Sequence, residues 1–136
     1  MASADPATIF SLNTRLSVEL LAEATPAIEA LGLEPKAFFV LDGLEQQPYP
    51  ADLARWLSMP RPTITGYLKT LEKKGLIRRE LQPQDLRRHL LALTPTGRKT
   101  LSKARGILAE CYGARLDRLT TTEAATFARL LERLTR

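Results

Sequence analysis

The chain has little of what most enzymatic and metal chemistry needs: among its 136 residues there is one cysteine, Cys111, one histidine, His89, and one tryptophan, Trp56. A lone cysteine excludes an intramolecular disulfide and any multi-cysteine metal cluster. It suits a reducing compartment, so a cytoplasmic location is expected. No apolar run approaches the ~18 residues of a membrane span, and the start of the chain lacks the basic and apolar segments of a secretory signal, so no membrane partner is expected. No Gly-rich phosphate loop follows a strand pattern, and no His, Cys or acid cluster has metal-ligand spacing. A metal site built from scattered carboxylates and His89 stays open. His89 stands among arginines and leucines, without the nucleophile or carboxylate partner that acid–base chemistry requires. The expectation is no catalytic residue, no metal and no cofactor.

What the chain does have is a local excess of base. From Arg55 to Arg105 there are 13 Lys or Arg against three acids (Glu72, Glu80, Asp85), a net of +10, while the rest carries seven basic residues against 12 acids, a net of −5. The overall +5 therefore hides a dipolar molecule. One segment is suited to a polyanion, and counterion release would make its binding steeply salt-dependent. With 44% hydrophobic and 26% charged residues the composition is that of a folded protein, and 136 residues suit one domain, or one domain with helical extensions.

Hydrophobic periodicity supplies the elements. Ile9, Leu12, Leu16 and Leu20, widened by Leu21, give an amphipathic helix over 8–24. Thr25-Pro26 then either caps a second short helix through Leu31 or kinks a continuous one. Pro35 opens a largely buried helix carrying Phe38, Phe39, Leu41 and Leu44. The next, over 51–57, packs Leu53, Ala54 and Leu57 inward with Trp56 at the core or rim. After Ser58-Met59-Pro60 a helix over 62–74 turns Ile64, Tyr67, Leu68 and Leu71 inward. Its other face, Pro62, Thr63, Thr65, Gly66, Lys69, Thr70 and Lys73, is small, polar and basic without an acid, and Glu72 stands on the flank. Gly75 caps that helix, and 76–81 and 89–93 read as two strands around a polar turn with Pro83 and Asp85. A long helix begins at Thr94-Pro95-Thr96-Gly97 and carries Leu101, Ala104, Leu108, Cys111 and Arg115, with Gly106 and Gly113 as places for close approach of another helix. On this stripe Cys111 reads as a buried structural thiol. A last helix over 122–134 aligns Phe127, Leu130, Leu131 and Leu134.

Two short helices across a tight break, followed by an arginine-tipped hairpin, form a winged helix-turn-helix. The fold class is mainly α with a small β-wing, and the function this order implies is DNA binding, with one helix in a major groove and the hairpin beside it. The candidate contacts are Arg61, Pro62, Thr63, Thr65, Gly66, Lys69, Thr70 and Lys73 on the second helix, with Arg79, Asp85, Arg87 and Arg88 on the hairpin. Thr63 and Thr65 read equally well as helix caps. Paired arginines at 87 and 88 suit the negative potential of a narrow minor groove. The competing class is a winged helix used as a protein- or RNA-interaction module, and a protein-binding version should lose the basic face or expose an apolar patch there.

At Leu31-Gly32-Leu33, Asp52-Leu53-Ala54, Thr63-Ile64-Thr65, Leu71-Glu72-Lys73-Lys74-Gly75-Leu76-Ile77, Asp85-Leu86-Arg87-Arg88 and Leu93-Thr94-Pro95-Thr96-Gly97, in this order and spacing, the chain resembles the MarR family of bacterial transcription regulators. The resemblance covers roughly 31–101. It implies a single MarR-like domain over 1–136, with a DNA-binding lobe over 33–97 and helical dimerisation regions over 8–31 and 98–136. It further implies a homodimer whose two lobes read a pseudo-palindrome in double-stranded DNA. The helix over 62–74 matches the recognition helix, Arg87 the wing-tip arginine that enters the minor groove, and Asp85 the aspartate that helps set the turn. The resemblance further implies a repressor of the kind released by small apolar or aromatic effectors, by oxidation, or by metals. A pocket for such an effector is expected around Leu12, Phe38, Phe39, Leu108 and Tyr112. The sequence departs from the family at Gly66, where many relatives carry arginine, at the Pro26 break, and in placing its cysteine at 111, away from the N-terminus where peroxide-sensing relatives keep theirs.

Overall fold

The computed structural model describes residues 4–136, apart from the side chains of Leu86 and Arg87. Six helices and one hairpin follow in the order α1 (Pro6–Ala30), α2 (Pro35–Gly43), α3 (Pro50–Trp56), α4 (Arg61–Lys73), β1 (Ile77–Gln82), β2 (Asp85–Leu93), α5 (Pro95–Leu116) and α6 (Thr121–Thr135). Two compact units divide the chain, a lobe over 25–105 and a helical unit formed by 1–24 with 106–136. Ile28, Leu101 and Ala104, near the ends of this lobe, are buried.

Prolines set the helix starts. Pro35, Pro50 and Pro62 sit in the first turn of α2, α3 and α4, where a missing N–H costs nothing. Pro26, by contrast, lies inside one unbroken α1, which settles the open alternative in favour of a continuous helix. An interior proline costs a helix about 3 kcal/mol. Here the ring faces solvent, and Leu20, Ala24 and Ile28, buried at four-residue spacing on the same helix, outweigh that cost.

The core of the lobe is aliphatic: Leu33, Val40, Leu41, Leu53, Ile64, Leu68, Leu71, Ile77, Leu91 and Leu101 are sealed from solvent. Between α3 and α4 the chain reverses through Ser58, whose φ is 52°. Its N–H donates to the Arg55 carbonyl and the Met59 N–H to that of Ala54, closing a left-handed helix end that glycine usually occupies. The same pair of bonds at Gly75, φ 73°, ends α4 and hands the chain to β1.

The Leu93-Thr94-Pro95-Thr96-Gly97 run is explained by one junction. The Thr94 N–H donates to the Leu76 carbonyl, and its hydroxyl donates to the Gly75 carbonyl at 2.5 Å while accepting from the Gly97 N–H at 3.0 Å. Thr94 thus caps α5 and pins it to the end of α4. Gly97 is required because a Cβ there would lie 1.9 Å from the Leu76 carbonyl oxygen.

β1 and β2 pair antiparallel, Ile77 opposite Leu93 through Leu81 opposite His89, and then the register slips so that Gln82 faces Asp85. The second strand therefore starts at Asp85 rather than at 89. Pro83 and Gln84 alone form the turn, because the slip accommodates 86–88 within the strand.

In the helical unit, Arg115 of α5 forms ion pairs with Glu19, at 2.9 Å, and with Glu23 of α1. Arg15 adds a third contact, at 2.8 Å, to Glu19. Hydrogen bonds from Arg15 and Arg115 pull the Glu19 carboxyl down to about 2. Thr120 and Glu123 reciprocally cap α6. No residue of α6 is buried, and Leu134 is 79% exposed, as is much of the start of α1, with Phe10 at 71%. Gly106 and Gly113 meet nothing within 4 Å, so within this chain they do not admit a close neighbour. Cys111 is half-buried, not sealed, because periodicity assigns a helix face without saying what covers it. Trp56, read as core or rim, is 57% exposed.

Candidate nucleic-acid interface

The α4 helix presents two chemically opposite faces. Ile64, Leu68 and Leu71 are buried in the lobe, while Arg61, Pro62, Thr63, Gly66, Lys69, Thr70 and Lys73 are exposed. Thr65 is half-buried at the boundary. The 13-residue helix spreads this face over about 20 Å, enough to cross a major groove. Its N-cap is Pro60, with no side-chain hydrogen bond to the first turn, so neither Thr63 nor Thr65 acts as a cap. The Thr70 hydroxyl instead donates back to the Gly66 carbonyl at 3.2 Å.

The basic residues divide into engaged and available groups. Among the described residues, Arg61, Lys69 and Lys73 have no ion-pair partner, whereas Arg79 on β1 donates to Glu72 at 3.0 Å and ties the hairpin to α4. Lys74 donates to the Gly32 carbonyl at 2.6 Å. Arg88 lies with its guanidinium 3.8 Å over the Tyr49 ring and 3.7 Å from Asp52. Asp85 begins β2 beside the turn. The Arg87 backbone lies in β2, and its side chain is outside the described set.

Of the described cavities lined by α4 residues, two are lined by an acid as well as by base. One, about 310 Å³, separates α2 from α4 and includes Glu34, Tyr67 and Lys74 in its lining. Burial, reinforced by its 3.2 Å hydrogen bond to Glu34, raises the Tyr67 phenol above its ordinary value, so it stays neutral. The other, about 320 Å³, brings Arg61, Arg79, Arg88 and His89 to Tyr49 and Asp52. These linings do not include the residues expected to hold an effector. Of those, Phe38 and Phe39 belong to the lobe, their rings edge to face at 5.5 Å, and Leu12, Leu108 and Tyr112 belong to the helical unit.

Sequence reasoning missed Tyr49, Asp52 and Arg55. The three-residue spacing of Asp52 and Arg55 on a helix could have signalled their 2.5 Å ion pair. Nothing local could have signalled the Tyr49–Arg88 stack.

A MarR family model matches residues 33–89, the stretch from the start of α2 into the wing. The HTH-type transcriptional repressor Rv2887 of Mycobacterium tuberculosis is 31% identical over 136 residues, covering 98% of each chain. The chain belongs to the MarR family. Solved structures agree on the fold. A MarR-family regulator from Rhodococcus sp. RHA1 superposes with a TM-score of 0.81 at 22% identity, covering 98% of this chain and 96% of that one. Rv2887 in complex with p-aminosalicylic acid gives 0.75 at 29%, covering 93% and 97%. Staphylococcus aureus MepR in complex with DNA gives 0.74 at 25%, covering 91% and 93%. This MarR-family chain is therefore a winged helix-turn-helix, DNA-binding transcription regulator, mainly α with a small β-wing. No described helix is long and apolar enough to cross a membrane.

Proposed function

We propose that the chain acts as a homodimeric repressor that reads a pseudo-palindromic operator with α4 in the major groove and the wing at the adjacent minor groove. The observation that carries this is the outward face of α4, where Arg61, Lys69 and Lys73 have no ion-pair partner among the described residues and the helix's single acid, Glu72, is paired with Arg79. Lys69 and Lys73 neutralise phosphates, while Thr65 and Thr63 meet base edges. Arg87 enters the minor groove, and Asp85 shapes the turn that presents it.

Dimerisation follows from the helical unit. Phe10, Leu12, Val18, Leu130 and Leu134 are exposed there, and a second copy covers such surface with the symmetry a pseudo-palindrome requires. The complex of Rv2887 with p-aminosalicylic acid supports a small aromatic effector. Such an effector lowers DNA affinity only by binding better to a lobe spacing the operator cannot accept. Because the family is one of transcription regulators, the chain is read as non-enzymatic. A protein-interaction module would want an apolar or neutral α4 face, and this one is basic.

Sedimentation of the protein at micromolar concentration, alone and with a duplex enriched from a random library, tests the proposal. Two chains per duplex, with half-sites ~10 bp apart, are expected. A monomer that binds such a duplex tightly would refute the dimeric reading.

A further inference from the structure

The geometry points to Asp52 and Tyr49 as residues that set DNA specificity, by holding Arg55 and Arg88 away from the phosphate backbone. The inference rests on the DNA-binding reading. Asp52 divides its two oxygens: Oδ1 accepts from Arg55 Nη2 at 2.5 Å, and Oδ2 lies 3.7 Å from Arg88 Nη2. Tyr49, the residue before α3, carries the Arg88 guanidinium on its ring at 3.8 Å. One step along, the Leu91 N–H of β2 donates to the Pro48 carbonyl at 2.7 Å. The segment 48–52 therefore grips the wing strand twice, through its backbone and through Arg88.

For a surface that needed only affinity, this arrangement works against it. Asp52 adjoins a cavity it shares with Arg61, Arg79 and Arg88, and it neutralises cations that would otherwise meet phosphate. Non-specific binding is carried almost wholly by such neutralisation, whereas specificity is the ratio of operator to non-operator affinity. In the operator complex the wing keeps the posture that Tyr49 and Pro48 give it, so releasing Arg88 adds nothing. On an arbitrary duplex each freed guanidinium gains a phosphate. Exposed ion pairs and cation–π stacks are individually weak, so the clamp biases the two arginines without locking them.

The test measures binding against salt for two duplexes, one enriched from a random library by the wild-type protein and one a shuffled sequence of the same composition. Asp52→Asn should steepen the salt slope on the shuffled duplex by about one to two units, since each neutralised phosphate contributes about 0.9. It should tighten that binding about three- to tenfold while leaving the enriched duplex within about twofold, so the specificity ratio falls. Tyr49→Leu changes no charge and should move the shuffled duplex in the same direction by less. Arg88→Gln added to Asp52→Asn should return about half the gain, a coupling that distant, independent sites do not show. Thermal melting monitored by circular dichroism checks that each variant is folded. Equal tightening on both duplexes with no effect of Tyr49→Leu would reduce Asp52 to a general repulsive charge and overturn the inference, as would no change at all. Failure of the wild type to enrich any duplex would overturn the DNA-binding reading itself, and is seen without any variant.

Discussion

Gly97→Ala places one methyl group at the tightest junction in the lobe. The new Cβ would stand 1.9 Å from the Leu76 carbonyl oxygen and 2.8 Å from its carbon, so the start of α5 and the chain entering β1 must part by about 1.5 Å before contact becomes ordinary. Neither side yields cheaply. The Leu76 oxygen accepts the Thr94 N–H, Leu76 itself is buried, and the Thr94 hydroxyl bridges the Gly75 carbonyl to the Gly97 N–H. Overpacking of a flexible side chain costs 1–3 kcal/mol, and a clash with backbone belongs at the top of that range, about 3 kcal/mol or more. For a chain of this length that lowers the Tm by about 10 °C. Urea and thermal unfolding of Gly97→Ala should be compared with Gly106→Ala, on the same helix but in open space, which should stabilise by about 0.4–1 kcal/mol. If the two alanine variants unfold alike, the account of the α4–β1–α5 junction is wrong.

Two further outcomes follow from local geometry. Ser58→Gly removes the left-handed strain of the helix-turn-helix break at some loss of unfolded-state order, and should raise stability by about 0.5–1 kcal/mol in urea; a loss would mean that the serine side chain holds the turn. Glu19 has its folded value lowered to about 2 from 4.5 by Arg15 and Arg115, so its contribution is present above 4.5 and lost as pH falls toward 2. The stability gap between wild type and Glu19→Gln should shrink over that window, and a gap that is constant from pH 5 to 2 would contradict the assignment.

Where chemistry is local, the sequence was legible. First-turn prolines and the glycine at 75 marked the helix ends, and the buried Ile64, Leu68 and Leu71 followed from spacing alone. The order of the elements led to the family, whose model matches 33–89. What could not be read depends on partners brought from a distance. Arg79 and Arg88 look equivalent to Lys73 along the chain, yet the fold brings Glu72 to one and Tyr49 with Asp52 to the other. Ser58 carries no glycine signal for its left-handed turn, and the strand register slips at Gln82 without a local marker. Exposure of Trp56 likewise depends on what lies opposite, which periodicity does not specify.

The most direct test of DNA reading by α4 is the affinity of Lys73→Ala, Thr65→Ala and Arg87→Ala for enriched duplexes altered either in the half-site or in its A·T flank, at two salt concentrations. Lys73→Ala should weaken all duplexes alike and reduce the salt slope by about one unit. Thr65→Ala should lose discrimination within the half-site, and Arg87→Ala should lose about 1–3 kcal/mol together with the preference at the flank. If all three variants bind every duplex as the wild type does, DNA is not read by α4 and the wing.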